Sequence, residues 1–466
     1  MAVHHPTPPR QPALPVSRSL DELGRMRSWF HRFVVAVGVV AAATPAWSAV
    51  ETRVEVGPLV DRARRAGLRV IESRRLALVT DRPVRDGDGV ESLPAIFDQA
   101  FDAWCEHYAI DADSLPEWRA CGCLVVDRER FRAAGLLPDA IPEFANGFCD
   151  RNQFWMLDQS NPDYRRHLLL HEGVHAFTFT VRALAAPPWY TEGIAEYLAT
   201  HRLDATPDGP RFVPTPVPAR AGDVEQLGRI EQLRALRRAA HAPSLADIFA
   251  LPARDHQAIT DYAASWAAVV LLDQHPAHAT AFAAAERGPL DAGLTARLRS
   301  QPGFDEPRAR RDFDALTDGI DYGYDVHREA IEWSPGRPLT APASTTVVAG
   351  RGWQNSGLQL VKGECYMLSA HGRCRLGAIA GTVIETEPDG ISLEWYRGRP
   401  VGRLLAAQWV ESPADGGRPR FVVLAEGAEG RLTADVNGPI YLRVNEPPGE
   451  LSDDEGSFEV EIAALR

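Results

Sequence analysis

The stretch HLLLHEGVHAFTF, residues 167–179, restricts what this chain can fold into more than any other. Asn161 and Pro162 occupy a helix-start position with Asp163 in the first turn, which predicts a helix from about 163 to 182, ended by AAPP. On that helix His171 and His175 lie one turn apart on one face, with Glu172 about 100° around it. Two imidazoles so spaced can share a zinc ion, and the carboxylate between them can reach a water bound there. Two core histidines with satisfied hydrogen bonds are the alternative, and the motif alone leaves both open.

The following segment narrows the choice. Catalytic zinc needs a third protein ligand and an open fourth position. The spacing predicts a second helix from near Trp189 to about His201, carrying WYTEGIAEY. Glu192 comes 17 residues after His175, enough for the first helix to finish, turn and return antiparallel. Glu196 lies one turn further on the same face, placed to accept the second ring N–H of a zinc-bound histidine. Four groups of this kind on adjacent helices are hard to explain as packing.

HEGVH followed by WYTEGIAEY resembles the gluzincin metallopeptidases, the thermolysin-like clan, and the second string is similar to the W-L-x-E-G-x-A pattern of its aminopeptidase-like members. The resemblance covers about 60–290. It implies His171, His175 and Glu192 as zinc ligands, Glu172 as general base and Glu196 as the residue behind the ligands. It also implies that Tyr262, opening DYAASWAAVVLL about 70 residues beyond Glu192, donates to the oxyanion; the plain reading of Tyr262 is a core residue near a helix start. The G-x-M-E-N segment that grips a free N-terminus in the aminopeptidase branch is absent, so exopeptidase action has no support.

At 466 residues the chain is too long for one core, and two or three domains are expected. Its formal charge is -13, and the first 48 residues hold five arginines against Asp21 and Glu22, so the remainder stands at about -16. Nucleic acid and anionic membrane surfaces are therefore poor partners. A single lysine, Lys362, reads as compositional bias. Arg27 and Arg32, the apolar run Phe33–Ala43 and the small residues of TPAWSA have the order of a secretory signal, cleaved between Ser48 and Ala49, with Met26 as an alternative start. The run is too short to span a bilayer comfortably, and an uncleaved anchor is the alternative and the one membrane attachment expected. Six cysteines fit an exported chain with disulfides, Cys365 and Cys374 on one apparent hairpin being the most plausible pair.

The expected class is α+β. Residues 49–160 alternate strands and helices, with strands in LRVIESRRLALVT and CGCLVV, a helix in VESLPAIFDQAFDAWCEHY and a hairpin or edge strands in NGFCDRNQFWML, and read as a mixed α/β lobe. Residues 161–333 read as a helical metal-binding lobe, with three or four helices over 222–333. A third alternative, beside the two functions weighed below, has the proline-interrupted 202–222 region regulating access. Residues 334–344 are a Pro-rich linker, and 345–466, short strand-like runs between glycine turns, read as an all-β sandwich.

GPIYLRVNEPPGELSDDEGSFEVEI resembles the end of the bacterial galactophilic calcium lectins. Position by position the resemblance implies Glu446, Glu450, Asp453 and Asp454 as calcium ligands, and clustered anionic oxygens are what calcium prefers. A carboxylate stands at all four positions, and EPDGI at 387–391 offers no equivalent of the family's sugar-contacting His and Gln. An acidic surface turn without an ion is the alternative.

These readings combine into an exported zinc peptidase acting on peptide or protein substrates, with an accessory sandwich for calcium or glycan. Its cleft would lie between the first two lobes, with substrate extended along the strands near Asn152–Leu157. The competing expectation is a glycan-binding surface protein whose peptidase-like part no longer turns over.

Overall fold

A computed structural model describes residues 53–465 apart from 86, 88, 208, 224–227, 240–241, 253–258 and 380. The expected signal segment and both proposed starts lie outside the described residues. The fold is α+β, with a β-rich C-terminal region.

Helix α1 (Val56–Arg65) precedes β1 (Arg69–Glu72), β2 (Leu76–Thr80), α2 (Leu93–His107), β3 (Ala120–Val125), α3 (Arg128–Ala133), β4 (Gly147–Asp150) and β5 (Gln153–Leu157). The five strands form one sheet in the order β1-β2-β3-β5-β4; β2, β3 and β5 are parallel, and the two outer strands run antiparallel to their neighbours. Every residue of β2 and β3 is buried, as parallel strands covered on both faces require. Val79, Cys121, Cys123 and Trp155 pack beneath α1 and α3. Leu78, Ala120, Leu124 and Phe154 face α2 and α4 (Pro162–Val181) on the other side. Asn161 caps α4 by accepting from the Tyr164 N–H at 2.8 Å, with Pro162 opening the first turn. From His167 to Thr178 the helix is buried at every position, so it lies within the core rather than on its surface.

Next come α5 (Pro188–Ala199), a hairpin of β6 (His201–Thr206) and β7 (Gly209–Pro214), then α6 (Arg229–Arg238), α7 (Leu245–Phe249), α8 (Ile259–Gln274), α9 (Ala279–Glu286), α10 (Leu294–Ser300) and α11 (Glu306–Gly319). Six helices are thus described where three or four were expected, because Pro276, Gly288–Pro289 and Pro302–Gly303 divide the apolar runs. The 202–222 region begins as this hairpin. Pro210 and Pro214 pair at its two ends, opposite Ala205 and His201, where a missing N–H costs least. Helix α5 packs closely on α8: a Cβ on Gly193 would lie 2.6 Å from the Ser265 carbonyl oxygen.

The remaining strands are β8 (Arg337–Pro338), β9 (Ala343–Val348), β10 (Gln354–Leu360), β11 (Cys365–Ile379), β12 (Thr382–Thr386), β13 (Asp389–Tyr396), β14 (Arg399–Val410), β15 (Arg420–Glu426), β16 (Glu429–Thr433), β17 (Gly438–Val444) and β18 (Asp454–Ala464). One sheet runs β13-β14-β17-β10-β8 with β15 beside β14; the other runs β12-β11-β18-β9 with β16 beside β11. Leu358, Leu368, Leu442, Phe458 and Ile462 fill the space between them. Strand β8, inside the stretch expected to be a linker, pairs with β10. Trp333 joins Trp409, Phe421 and Tyr441 in an aromatic seam that also takes in Ala315 of α11.

The cysteines correct one expectation: all six are free. Cys365 and Cys374 stand on the single strand β11, about 30 Å apart at ~3.3 Å per residue, far beyond disulfide reach. The expected hairpin between them does not turn; Gly372 pairs with Phe458 as the strand continues.

Candidate metal centre

Helix α4 presents His167, His171 and His175 along one stripe, and α5 presents Glu192 and Glu196. His171 Nε2 and His175 Nε2 are 3.1 Å apart, and Glu192 Oε2 lies 3.3 Å from the first and 3.4 Å from the second. Zinc bound tetrahedrally at ordinary Zn–N and Zn–O lengths requires ligand atoms about 3.3 Å apart. The donor set and its spacing therefore fit one such ion, in a place where all three side chains are at most 2% exposed.

Glu172 is wholly buried, and neither of its carboxylate oxygens has a hydrogen-bond partner among the described residues. Burial, then the charges of Glu192 and Glu196, push its pKa up to about 8 against the opposing pull of His171. For His171 burial works downward, but hydrogen bonds to Glu192 and Glu196 prevail and raise it to about 10. Glu192 and Glu196 contribute to both shifts: their negative charge draws a cation, whether proton or metal.

Glu196 stands behind the triad, 3.4 Å from His171 Nδ1. Arg229, at the start of α6, donates to it through Nη2 at 2.5 Å and Nε at 3.1 Å, and His167 Nε2 lies 3.2 Å from it. Burial would raise the Glu196 pKa, but Arg229 and His167 hold it well below the usual carboxylate range. Glu196 therefore stays ionised and can keep a proton on His171 Nδ1, leaving Nε2 as the lone-pair donor toward the triad. Tyr262 is 1% exposed; its ring centroid is 6.3 Å from that of His171, and the Arg229 guanidinium is 5.5 Å from its ring. Burial, then Glu192 and Glu172, raise the Tyr262 pKa, so its hydroxyl remains a donor.

The expected substrate strand is corrected. Strand β5 has β3 on one side and β4 on the other, so Asn152–Leu157 cannot accept another strand. The edge beside the triad is β4. A Cβ on Gly147 would lie 2.2 Å from Glu172 Oε1, so glycine there allows the edge backbone and the carboxylate to approach. The sequence reading missed His167, Arg229 and Gly147. The i, i+4, i+8 histidine stripe could have revealed the first; no local pattern marks the other two.

In the C-terminal sheets Glu446, Glu450, Asp453 and Asp454 line one cavity of about 220 Å³, together with Glu394 and the apolar Leu376 and Ile391. Glu446 Oε2 and Asp454 Oδ2 are buried without hydrogen-bond partners. Burial, then neighbouring carboxylates, push Glu446 up to about 8 and Asp454 up to about 7. These carboxylates share a cavity, but their oxygens do not converge as those of the triad do.

An α+β scaffold with a buried His-His-Glu triad and an unpartnered glutamate beside it defines a candidate metalloenzyme class. No family model matches the chain, and no curated protein matches it. Solved structures do. An aminopeptidase N family protein from Idiomarina loihiensis is similar over 86% of this chain and 69% of that one, at 12% identity and a TM-score of 0.35. A PllA-like lectin, the EclA N-terminal domain, is similar over 26% of this chain and 95% of that one, at 24% identity and a TM-score of 0.20. At such values the chemistry of the site stands on its own geometry. No helix of the described residues is long and apolar enough to cross a membrane.

Proposed function

We propose that the chain is an exported zinc-dependent peptidase. The observation that carries the reading is the convergence of His171, His175 and Glu192 within one ion's reach, beside a buried glutamate that has no hydrogen-bond partner among the described residues. Zinc held by these three side chains would supply a Lewis acid for the scissile carbonyl and lower the pKa of a bound water toward about 7. Glu172 takes the proton of the attacking water and passes it to the leaving amine. Tyr262 donates to the oxyanion, and Glu196, anchored by Arg229, orients His171. The free edge of β4 offers backbone pairing to an extended peptide beside Glu172. Export rests on the Arg27–Ala49 segment, and the β-rich region is assigned a calcium- or glycan-binding role on the acidic cavity.

The test is metal content beside turnover. Glu172→Gln is expected to retain about one zinc and to lose roughly 10²–10⁴-fold in casein hydrolysis. His171→Ala and Glu192→Ala are expected to lose the zinc. Unchanged hydrolysis by the Glu172→Gln chain would refute the reading.

A further inference from the structure

A second cluster of metal-ligating groups lies behind α5, away from the triad. His107, Asp273 and Glu286 each bring one ligand atom within 4.8 Å of the other two, and His107 Nε2 is 3.5 Å from Glu286 Oε1. The residues come from separate elements, the ends of α2, α8 and α9. On α5, Tyr190 and Tyr197 point to this cluster while Glu192 points to the triad. Residues 190 and 197 are two turns apart on one face, and 192 lies about 200° from 190.

The placement of the carboxylates runs against helix electrostatics. A helix C-terminus carries a partial negative charge and favours Lys, Arg or His in its last turn. Here Asp273 and Glu286 occupy the last turns of α8 and α9, which contain no basic residue, and α2 ends at the same point. Two carboxylates and three negative helix ends therefore meet around one imidazole. Among the described residues no Arg or Lys pairs with either carboxylate. The Arg182 guanidinium donates instead to the Glu286 and Gly288 carbonyls and lies 4.8 Å from the Tyr108 ring.

The carboxylates are also held in place. The Tyr190 hydroxyl donates to Glu286 Oε1 at 2.7 Å; the Tyr197 hydroxyl donates to Asp273 Oδ2 and accepts from Gln274 Nε2 at 3.2 Å. Such outer donors fix ligand orientation at metal sites. His107 Nε2 is buried and makes no well-formed hydrogen bond among the described residues, Glu286 Oε1 standing 3.5 Å away, while the imidazole as a whole is 13% exposed, which leaves a path for an ion.

In another His/Asp cluster, His275, His278 and Asp312, the one carboxylate is already satisfied. Asp312 already accepts from His278 Nε2 at 2.8 Å and Trp333 Nε1 at 2.6 Å, and His275 Nδ1 accepts from the Ala277 N–H, which leaves the proton on Nε2.

We propose that His107, Asp273 and Glu286 form a second divalent-metal site, independent of the triad, that binds zinc or manganese through one imidazole nitrogen and two carboxylate oxygens. This donor set suits a borderline or hard divalent ion. The ion ties α2 to α8 and α9 across the back of α5, a structural role.

The experiment strips the purified full-length chain with chelator and titrates it with zinc and, separately, with manganese by calorimetry, followed by elemental analysis after dialysis. The wild type should bind two equivalents. His107→Ala should bind one and keep its hydrolytic activity; His171→Ala should also bind one and lose hydrolysis. Asp273→Asn serves where His107→Ala does not fold, and the wild-type stoichiometry needs no variant. A single wild-type equivalent that disappears in His171→Ala and survives in His107→Ala overturns the proposal; the cluster is then an imidazolium bridging two carboxylates. A single equivalent lost only in His107→Ala supports this site and refutes the catalytic one, and a wild type that binds no metal refutes both.

Discussion

Arg229 shows how much of the centre depends on residues that never reach an ion. Its guanidinium holds Glu196 by two hydrogen bonds in a fully buried setting, and Glu196 in turn faces His171 and His167. Arg229→Met would leave that carboxylate buried without its guanidinium, with only the His167 and His171 imidazoles beside it, a cost of about 3–5 kcal/mol. Loss of such an outer partner also weakens metal binding by about 10–100-fold. Urea denaturation and a competitive chelator titration measure the two effects, and an unchanged zinc affinity would remove Glu196 from its orienting role. Gly147→Ala is a subtler change. It forces the Glu172 carboxylate away from the β4 edge, and displacement by about 1 Å costs on the order of 10²-fold in turnover while metal content stays the same. His201 supplies a pH dependence. Its Nε2 accepts from Arg166 at 2.7 Å and its Nδ1 is 2.7 Å from the Ala199 carbonyl, so a further proton has no place. Burial, then Arg166, lower its pKa from 6.5 to about 3. The unfolded chain therefore binds the proton first; this contribution to stability is complete above pH 6.5 and is lost as the pH falls toward 3. His201→Gln should flatten the stability–pH slope across that window by about one proton, read from urea midpoints at several pH values; an identical slope contradicts the assignment.

Elements were legible where a local rule determined them. Asn161, Pro162 and Asp163 announce the start of α4 within a residue, and the interval from His175 to Glu192 suffices for the return that brings Glu192 to the histidines. The strand-then-helix order of 68–134 appears as β1 to α3 because apolar alternation marks each piece. What depends on a partner distant in sequence was hidden. Whether β5 is an edge follows from the pairing of β4 with it, and no pattern within Asn152–Leu157 records that pairing. The stretch from Cys365 to Cys374 looks like a hairpin because Gly372 interrupts it, yet β18 pairs along its whole length and keeps it straight. Arg229 reaches Glu196 across 33 positions of sequence, a contact that only the packing of α6 beside α5 and α8 creates.

For the molecule as a whole, the aromatic seam at Trp333 decides whether the β-rich region moves on its own. Trp333 donates to Asp312 and packs on Trp409, Phe421 and Tyr441, while Arg418 pairs with Asp314 at 2.6 Å and Arg443 with Glu329 at 3.0 Å. A half-buried tryptophan with these contacts couples the unfolding of the two sides. Trp333→Ala is expected to split one calorimetric unfolding transition into two; a single transition shifted by less than about 1 °C would show that the seam transmits nothing. The same seam bears on how captured material would meet the triad. A sandwich on a floppy leash could sweep a volume and present its cargo at many angles, as tethered modules do. This one is bolted to α11, so anything gripped in its acidic cavity is offered at one fixed offset and pose. Reach along a large target would then be set like the jaws of a gauge, by rigid spacing rather than by tether length.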